Sequence, residues 1–179
     1  MTHSAQLEAG AEVSEQKASA SSANTLSAAS LDLLKEPRTV SAHSERSGPD
    51  SLYPNLSITP GATLDVTSEQ VCTPGYSKGV RNVSAAEKAE VFKEYGVTPQ
   101  RGEYEVDHLI SLELGGSNDI SNLWPEPYEP RPGAHEKDAV ENYLHKQVCD
   151  GSMSLPEAQK EISTDWYKVY QQIHSGGDN

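Results

Sequence analysis

The chain has 179 residues and a net charge of −13, enough length for one domain of roughly 100–150 residues and a tail, and too little for two large domains. Such acidity argues against a protein that grips nucleic acid through its overall charge, because phosphate contacts draw on a basic surface. No apolar run approaches the roughly 18 residues that span a bilayer, and the first residues lack the apolar stretch of a secretory signal, so no membrane partner is expected.

The first 50 residues hold ten serines and no aromatic side chain. They offer too little apolar surface to offset the entropy of ordering, and residues 1–51 read as a disordered Ser/Ala-rich tail and linker. Every Tyr, Trp and Phe lies at Tyr53 or later, which gives residues 52–175 the material for one core; 176–179 form a short C-terminal tail. From Ser51 onward 20 acidic residues still face only 10 Lys and Arg. Leu64, Val66 and Val71 suggest a short extended segment, interrupted by polar Thr67 to Gln70. Gly75-Tyr76-Ser77-Lys78-Gly79 matches the GxSxG string of serine hydrolases, which needs a strand before it and a helix after it. Val80 to Val83 reads as extended instead, and no hydrolase sheet can be laid out in the residues available, so that reading is set aside.

Ser84 and Glu87 form a capping box that starts a helix from about Ala85 to Tyr95, and Gly96 suits the left-handed residue that ends it. Tyr104 to Leu114 is strand-like and closes on Gly115-Gly116. A return strand through Ile120, Leu123 and Trp124 completes a hairpin, before the prolines at 125, 127, 130 and 132 force an irregular connection. Ala134 to Cys149 has helical spacing at Val140, Tyr143, Leu144 and Val148, with Gly151 at its end. A second capping box, Ser154 to Glu157, opens one amphipathic helix whose stripe of Ala158, Ile162, Trp166, Val169 and Ile173 carries it to about Gln172. The order helix, hairpin, helix, helix indicates an α+β domain.

Cleaving a phosphodiester takes a base to deprotonate water, a cation to neutralise developing charge and a group that holds the base in place. The hairpin offers all three. His108 titrates near neutrality and accepts a proton, Asp107 is a hard oxygen ligand for Mg²⁺ or Mn²⁺, and Asn122 returns across the hairpin to orient the His108 loop through its amide. Adjacent strand residues point to opposite faces, so joint use of Asp107 and His108 requires a twisted or bulged strand end. On the following helix His135, Asp138, Glu141 and His145 share one arc, opposite Val140, Tyr143 and Leu144. Lys78, Arg81, Lys88 and Lys93 are candidates for phosphate contacts. Alone, an Asp-His pair at a strand end is more often a hydrogen-bonding pair; for Asn122 an ordinary turn residue, bonding its own backbone, is the lesser alternative.

The combination of Asp107-His108, Gly115-Gly116 and Asn122-Leu123 resembles the HNH endonuclease family, and Cys72-Thr73-Pro74-Gly75-Tyr76, Val80-Arg81, Leu123-Trp124-Pro125-Glu126 and Lys137-Asp138 look like a bacterial subgroup of it. The resemblance runs from about Leu52 to the C-terminus. It implies a ββα-metal (HNH) hairpin-helix core with additional flanking helices, hydrolysis of DNA in preference to RNA, His108 and Asn122 as catalytic residues, and a divalent ion, Mg²⁺ or Mn²⁺ ahead of Zn²⁺. Asp107, His135 and Asp138 are the ligands it suggests, although the family's usual terminal His has no unambiguous counterpart here. Cys72 and Cys149 cannot form a CxxC knuckle, leaving a disulfide or two free thiols; the resemblance favours the disulfide. A disulfide suits an exported or oxidising compartment, against the missing signal. The rival reading is a non-catalytic nucleic-acid or protein binding module that keeps the ββα shape.

Overall fold

The computed structural model describes residues 46–175; of the tails expected at 1–51 and 176–179, all but residues 46–51 lie outside the described residues. The architecture is α+β, with one two-stranded antiparallel sheet and five α-helices among the described residues. In chain order these are α1 (Ser68–Val71), α2 (Tyr76–Val80), α3 (Ala85–Glu94), β1 (Tyr104–His108), β2 (Leu123–Pro127), α4 (Ala134–Cys149) and α5 (Leu155–Ser175).

The helix starts follow local chemistry. Ser84 Oγ accepts from Glu87 N while Ser84 N donates to the Glu87 carboxylate, so α3 begins where its capping box stands. Ser154 and Glu157 do the same for α5. A third box, Thr67 with Gln70, turns the segment expected to be extended into α1, because two orphan amides are satisfied by side chains three residues apart. Ser77 lies inside α2, behind the left-handed Gly75. Among the described residues no strand precedes it, so the elbow geometry is absent there.

The hairpin is tighter in sheet and longer in connection than the sequence suggests. β1 stops at His108, and Leu109 to Asn122 form an ordered loop with 3₁₀ turns at Leu112–Leu114 and Ile120–Asn122. Gly115 takes a positive φ of 74° to end the first turn, and a Cβ on Gly116 would stand 1.7 Å from the Ile110 carbonyl oxygen. Both glycines are therefore dictated by backbone rather than by a two-residue hairpin turn. Pro125 and Pro127 lie within β2, opposite Val106 and Tyr104. The sheet has only two strands, so β2 has a free edge where a missing N–H costs no ladder bond.

The core lies between α4 and α5. Val140, Leu144 and Val148 pack with Leu155, Ala158, Ile162, Trp166 and Val169, and Leu109, Ile110 and Leu114 of the loop close it. Tyr143, expected on this stripe, is 39% exposed. The stripe of α4 instead includes Lys137, buried with Ala134, Val140, Leu144 and Val148. The amphipathic helix at the C-terminus is broken at Asp165, whose φ and ψ are −155° and 71°. Its carboxylate accepts from Lys168 N, starting the second segment as an internal N-cap. It also accepts from Ser47 N at 2.7 Å and Tyr53 Oη at 2.5 Å, so Arg46 to Ser51, assigned to the linker from sequence, include residues anchored on the domain. Trp166 Nε1 donates to the Leu52 carbonyl at 2.7 Å. Cys72, the C-cap of α1, is disulfide-bonded to Cys149, the last residue of α4, across 77 residues; on a chain-entropy account such a closure contributes about 4 kcal/mol.

Candidate active site

β1 runs in unbroken register with β2, Asp107 opposite Trp124 and His108 opposite Leu123. The bulge that would bring neighbouring side chains to one face is not present, and the contacts of the two residues diverge. Asp107 meets α4, whereas His108 meets the loop residue Asn118 and, beyond it, the segment after α2.

On the α4 side, Lys137 has a fully buried side chain and spends its three protons on Asp107 Oδ2 at 2.6 Å, Glu141 Oε1 at 2.5 Å and the His108 carbonyl at 2.8 Å. The helix is thereby tied to the strand through one ammonium. Burial opposes that charge, but Asp107, Glu141 and Glu126 outweigh it and raise the Lys137 pKa well above the usual range. Burial also works against the Asp107 carboxylate, yet Lys137, a hydrogen bond shared with Glu126 and the backbone of His108 hold it down at about 2. Glu126 lies 3.7 Å from Lys137 Nζ, is 1% exposed and has Asp107 as its hydrogen-bonding neighbour. Burial, with repulsion from Asp107 and the hydrogen bond to it, pushes Glu126 well above the ordinary carboxyl range in spite of Lys137. Glu141 is raised by burial to about 7 and accepts from Ser111 Oγ at 2.9 Å.

Toward solvent this cluster continues as an acidic rim. Glu105 accepts from Tyr128 Oη at 3.1 Å. It is pushed upward by burial and by Asp107, and so is Asp138. Asp138 and His135 are exposed, with the His135 ring 5.0 Å from that of Tyr128. Of the ligands suggested by sequence, then, Asp107 and Asp138 lie within electrostatic reach of one another, and His135 stands at the edge. The α4 carboxylate that shares the Lys137 ammonium with Asp107 is Glu141.

On the other side, His108 is 2% exposed and its Nε2 lies 3.3 Å from Asn118 Oδ1. The Asn118 amide is fixed by two backbone groups, since Nδ2 donates to Val80 O at 2.8 Å and Oδ1 accepts from Asn82 N at 3.1 Å. An oxygen therefore faces the imidazole, Nε2 carries the proton, and Nδ1 keeps its lone pair. Burial lowers the His108 pKa, and Arg81 and Lys137 add to that effect against Asp107 and Asn118; the ring is neutral at pH 7. Asn122, fully buried, does not reach the ring. Its amide bonds Ile110 N, Ile110 O, Ser117 O and Ala62 N, which clamps the loop that begins directly after His108. Among the basic residues singled out, Arg81 acts on His108, and Lys93 is paired with Glu90 at 2.8 Å.

No family model, curated protein or solved structure matches the chain.

Among the described residues, one group of three metal-ligating atoms lies within 4.8 Å of one another: Cys72, His145 and Cys149. It is able to hold an ion only if the disulfide opens, since both sulfurs are consumed in that bond. Sequence reasoning missed Asn118 and the role of Lys137. Asn118 carries no pattern of its own. Lys137 does, because it falls on the apolar positions of α4, where a charge must find partners.

Proposed function

We propose that the chain is a metal-dependent endonuclease of the HNH type that hydrolyses DNA phosphodiester bonds, with His108 as general base. The observation that carries this reading is the Asn118 amide, anchored at both ends, which fixes the His108 tautomer and leaves Nδ1 as a proton acceptor on a neutral ring. The antiparallel hairpin followed by α4, and bound to it through Lys137, supports a ββα arrangement.

The rim also suits a divalent cation chemically. Glu105 and Asp138 are raised in part by the negative charge of Asp107, an excess that a hard cation with oxygen ligands would offset. Asp107 and Asp138, with His135 beside them, are the residues that would hold it, and joint action with His108 requires the strand end to twist out of its regular register with β2. Such an ion, Mg²⁺ or Mn²⁺ ahead of Zn²⁺, supplies Lewis-acid stabilisation of charge on the phosphate. His108 takes a proton from water at Nδ1 and passes none to Asn118, whose oxygen only orients it. Asn122 keeps the loop after His108 in place. Arg81, exposed and within electrostatic reach of His108, meets the phosphate that the chain's overall charge repels; Arg81→Ala should flatten the log–log salt dependence of binding by about one unit.

The test is plasmid nicking by the purified chain with Mg²⁺, Mn²⁺ or Zn²⁺ and with EDTA, His108→Ala serving as control. A folded wild type that cuts nothing under any metal would overturn the proposal. One observation favours a second reading, a non-catalytic nucleic-acid or protein binding module. Lys137 already neutralises the carboxylates between β1 and α4, so the hairpin-helix unit holds together without an ion. DNA retardation without cleavage would support that module. The disulfide fits an exported or oxidising compartment.

A further inference from the structure

We propose that Cys72, His145 and Cys149 form a redox-gated zinc site, closed by the disulfide when oxidised and able to bind Zn²⁺ when reduced. The inference is independent of the nuclease reading. His145 and Cys149 are four residues apart on α4, hence on one face, and Cys149 Sγ lies 3.4 Å from His145 Nε2. α1 delivers Cys72 to the same point, and one ligand atom from each of the three falls within 4.8 Å of the others. Two thiolates and an imidazole are a donor set that suits zinc, with Zn–S near 2.3 Å and Zn–N near 2.0 Å, and a fourth position open to water. Cys149 is exposed, so that position and the reductant both have access.

A second observation points to the same ligand. Glu113, on the loop between the strands, has its Oε2 sealed from solvent without a hydrogen-bond partner among the described residues, 4.0 Å from His145 Nδ1. A carboxylate behind the far nitrogen of a histidine is the arrangement that orients metal-ligating imidazoles and fixes their tautomer. In the disulfide form His145 Nε2–H donates to the Val71 carbonyl at 3.1 Å. When the metal binds, that proton is lost from Nε2 and Nδ1 is protonated toward Glu113, the ring remaining neutral.

The chemistry balances. A dithiol reductant is oxidised to its disulfide as the Cys72–Cys149 bond takes two electrons and two protons to become two thiols. Zn²⁺ then replaces both thiol protons, which pass to solvent. The cross-link between α1 and α4 is thus exchanged for a coordinate one. Glu141 and His145 stand four residues apart on α4, so the gate adjoins the Asp107 cluster along the helix.

The experiment uses the full chain and Co²⁺ as a spectroscopic probe, with a phosphine as reductant so that no added thiol competes for metal; the phosphine takes oxygen from water and the two protons go to the sulfurs. Reduced protein should bind one Co²⁺ per chain with thiolate-to-metal charge transfer, and Zn²⁺ should displace it. The oxidised protein should show no such band. Glu113→Gln should weaken binding about 10- to 100-fold and His145→Ala by more, while His174→Ala, on the exposed end of α5, should leave it unchanged. A reduced protein without the band, or an identical band and affinity in His145→Ala, would overturn the proposal. If reduction alone unfolds the chain, recovery of its circular dichroism on adding Zn²⁺ supports the site, and failure to recover overturns it.

Discussion

On the α4 side of β1, Asp107, Glu126 and Glu141 surround a single buried ammonium, whereas on the opposite side His108 is held by a neutral amide and flanked by Arg81. Both regions are built from polar groups withdrawn from water, and they solve that problem differently. The first spends all three ammonium protons, two of them on carboxylates, and raises the Glu126 carboxyl by burial. The second keeps its titrating group uncharged and saturates everything around it. Fixed charge pairs stiffen a junction between helix and strand; a neutral ring with one nitrogen committed and one nitrogen open remains reactive. The comparison assigns architecture to Lys137 and chemistry to His108, although Asp107 and His108 are neighbours in the chain.

The sharpest way to break that comparison is to remove each centre in turn. His108→Ala should lower the cutting rate by about 10²- to 10⁴-fold, the usual contribution of a general base, while the thermal transition stays that of a folded domain. Activity that survives intact would transfer the base role elsewhere. Lys137→Met should destabilise by about 3–5 kcal/mol, because the carboxylates lose their only close cation among the described residues; an unchanged urea midpoint would mean that water already reaches the cluster.

Asn118→Leu should cost about 10- to 100-fold in rate, the equivalent of about 1–3 kcal/mol for an imidazole left without its partner. The pH–rate profile should shift with it, which a merely structural role would not do. A rate and profile like those of the wild type would remove Asn118 from the site.

The smallest effect concerns pH. Glu141, at about 7 in the fold against about 4.3 in an unfolded chain, holds a proton that the unfolded state has lost between those values. Stability of the metal-free protein should therefore fall as pH rises through that window. Glu141→Gln should reduce the slope in urea titrations, the remainder coming from Glu126, Glu105 and Asp138, whose carboxyls are raised as well. Asp107 works with the opposite sign. At about 2 when folded against about 3.9 unfolded, its contribution is present above about pH 4 and is lost as pH falls toward 2. A single monotonic pH profile that Glu141→Gln leaves unaltered would contradict this division.

The two long helices and the hairpin were legible because their signals are local. The Ser84 and Ser154 boxes mark helix starts through side chains three residues away, and Gly96 and Gly151 close helices with φ of 63° and 79°. The Thr67 box that makes α1 was equally local and was passed over in favour of its apolar residues. The strand end was misread because Leu109 to Leu114 alternates like a strand, yet buries its apolar residues through a 3₁₀ turn packed on α4 and α5. The break in α5 was hidden, since the stripe from Ala158 to Ile173 keeps its period through Asp165. What interrupts it is an anchor for Ser47 and Tyr53, more than a hundred residues earlier in the chain.

For the site, the sequence by itself determined which residues carry the chemistry: an acid and a base adjacent on a strand, glycines where backbone must pass closely, an Asn to clamp the loop, and two cysteines. Only the tertiary structure decided how they are used. It directed Asp107 to a lysine on α4, turned His108 toward Asn118, and brought Cys72 and Glu113 to His145. The physical reason is that hydrogen bonding and charge pairing act over a few ångströms in space. Contacts 30, 10 and 74 residues apart, the last between His145 and Val71 beside Cys72, are set by the packing of the α4–α5 core, which no local pattern of the sequence records.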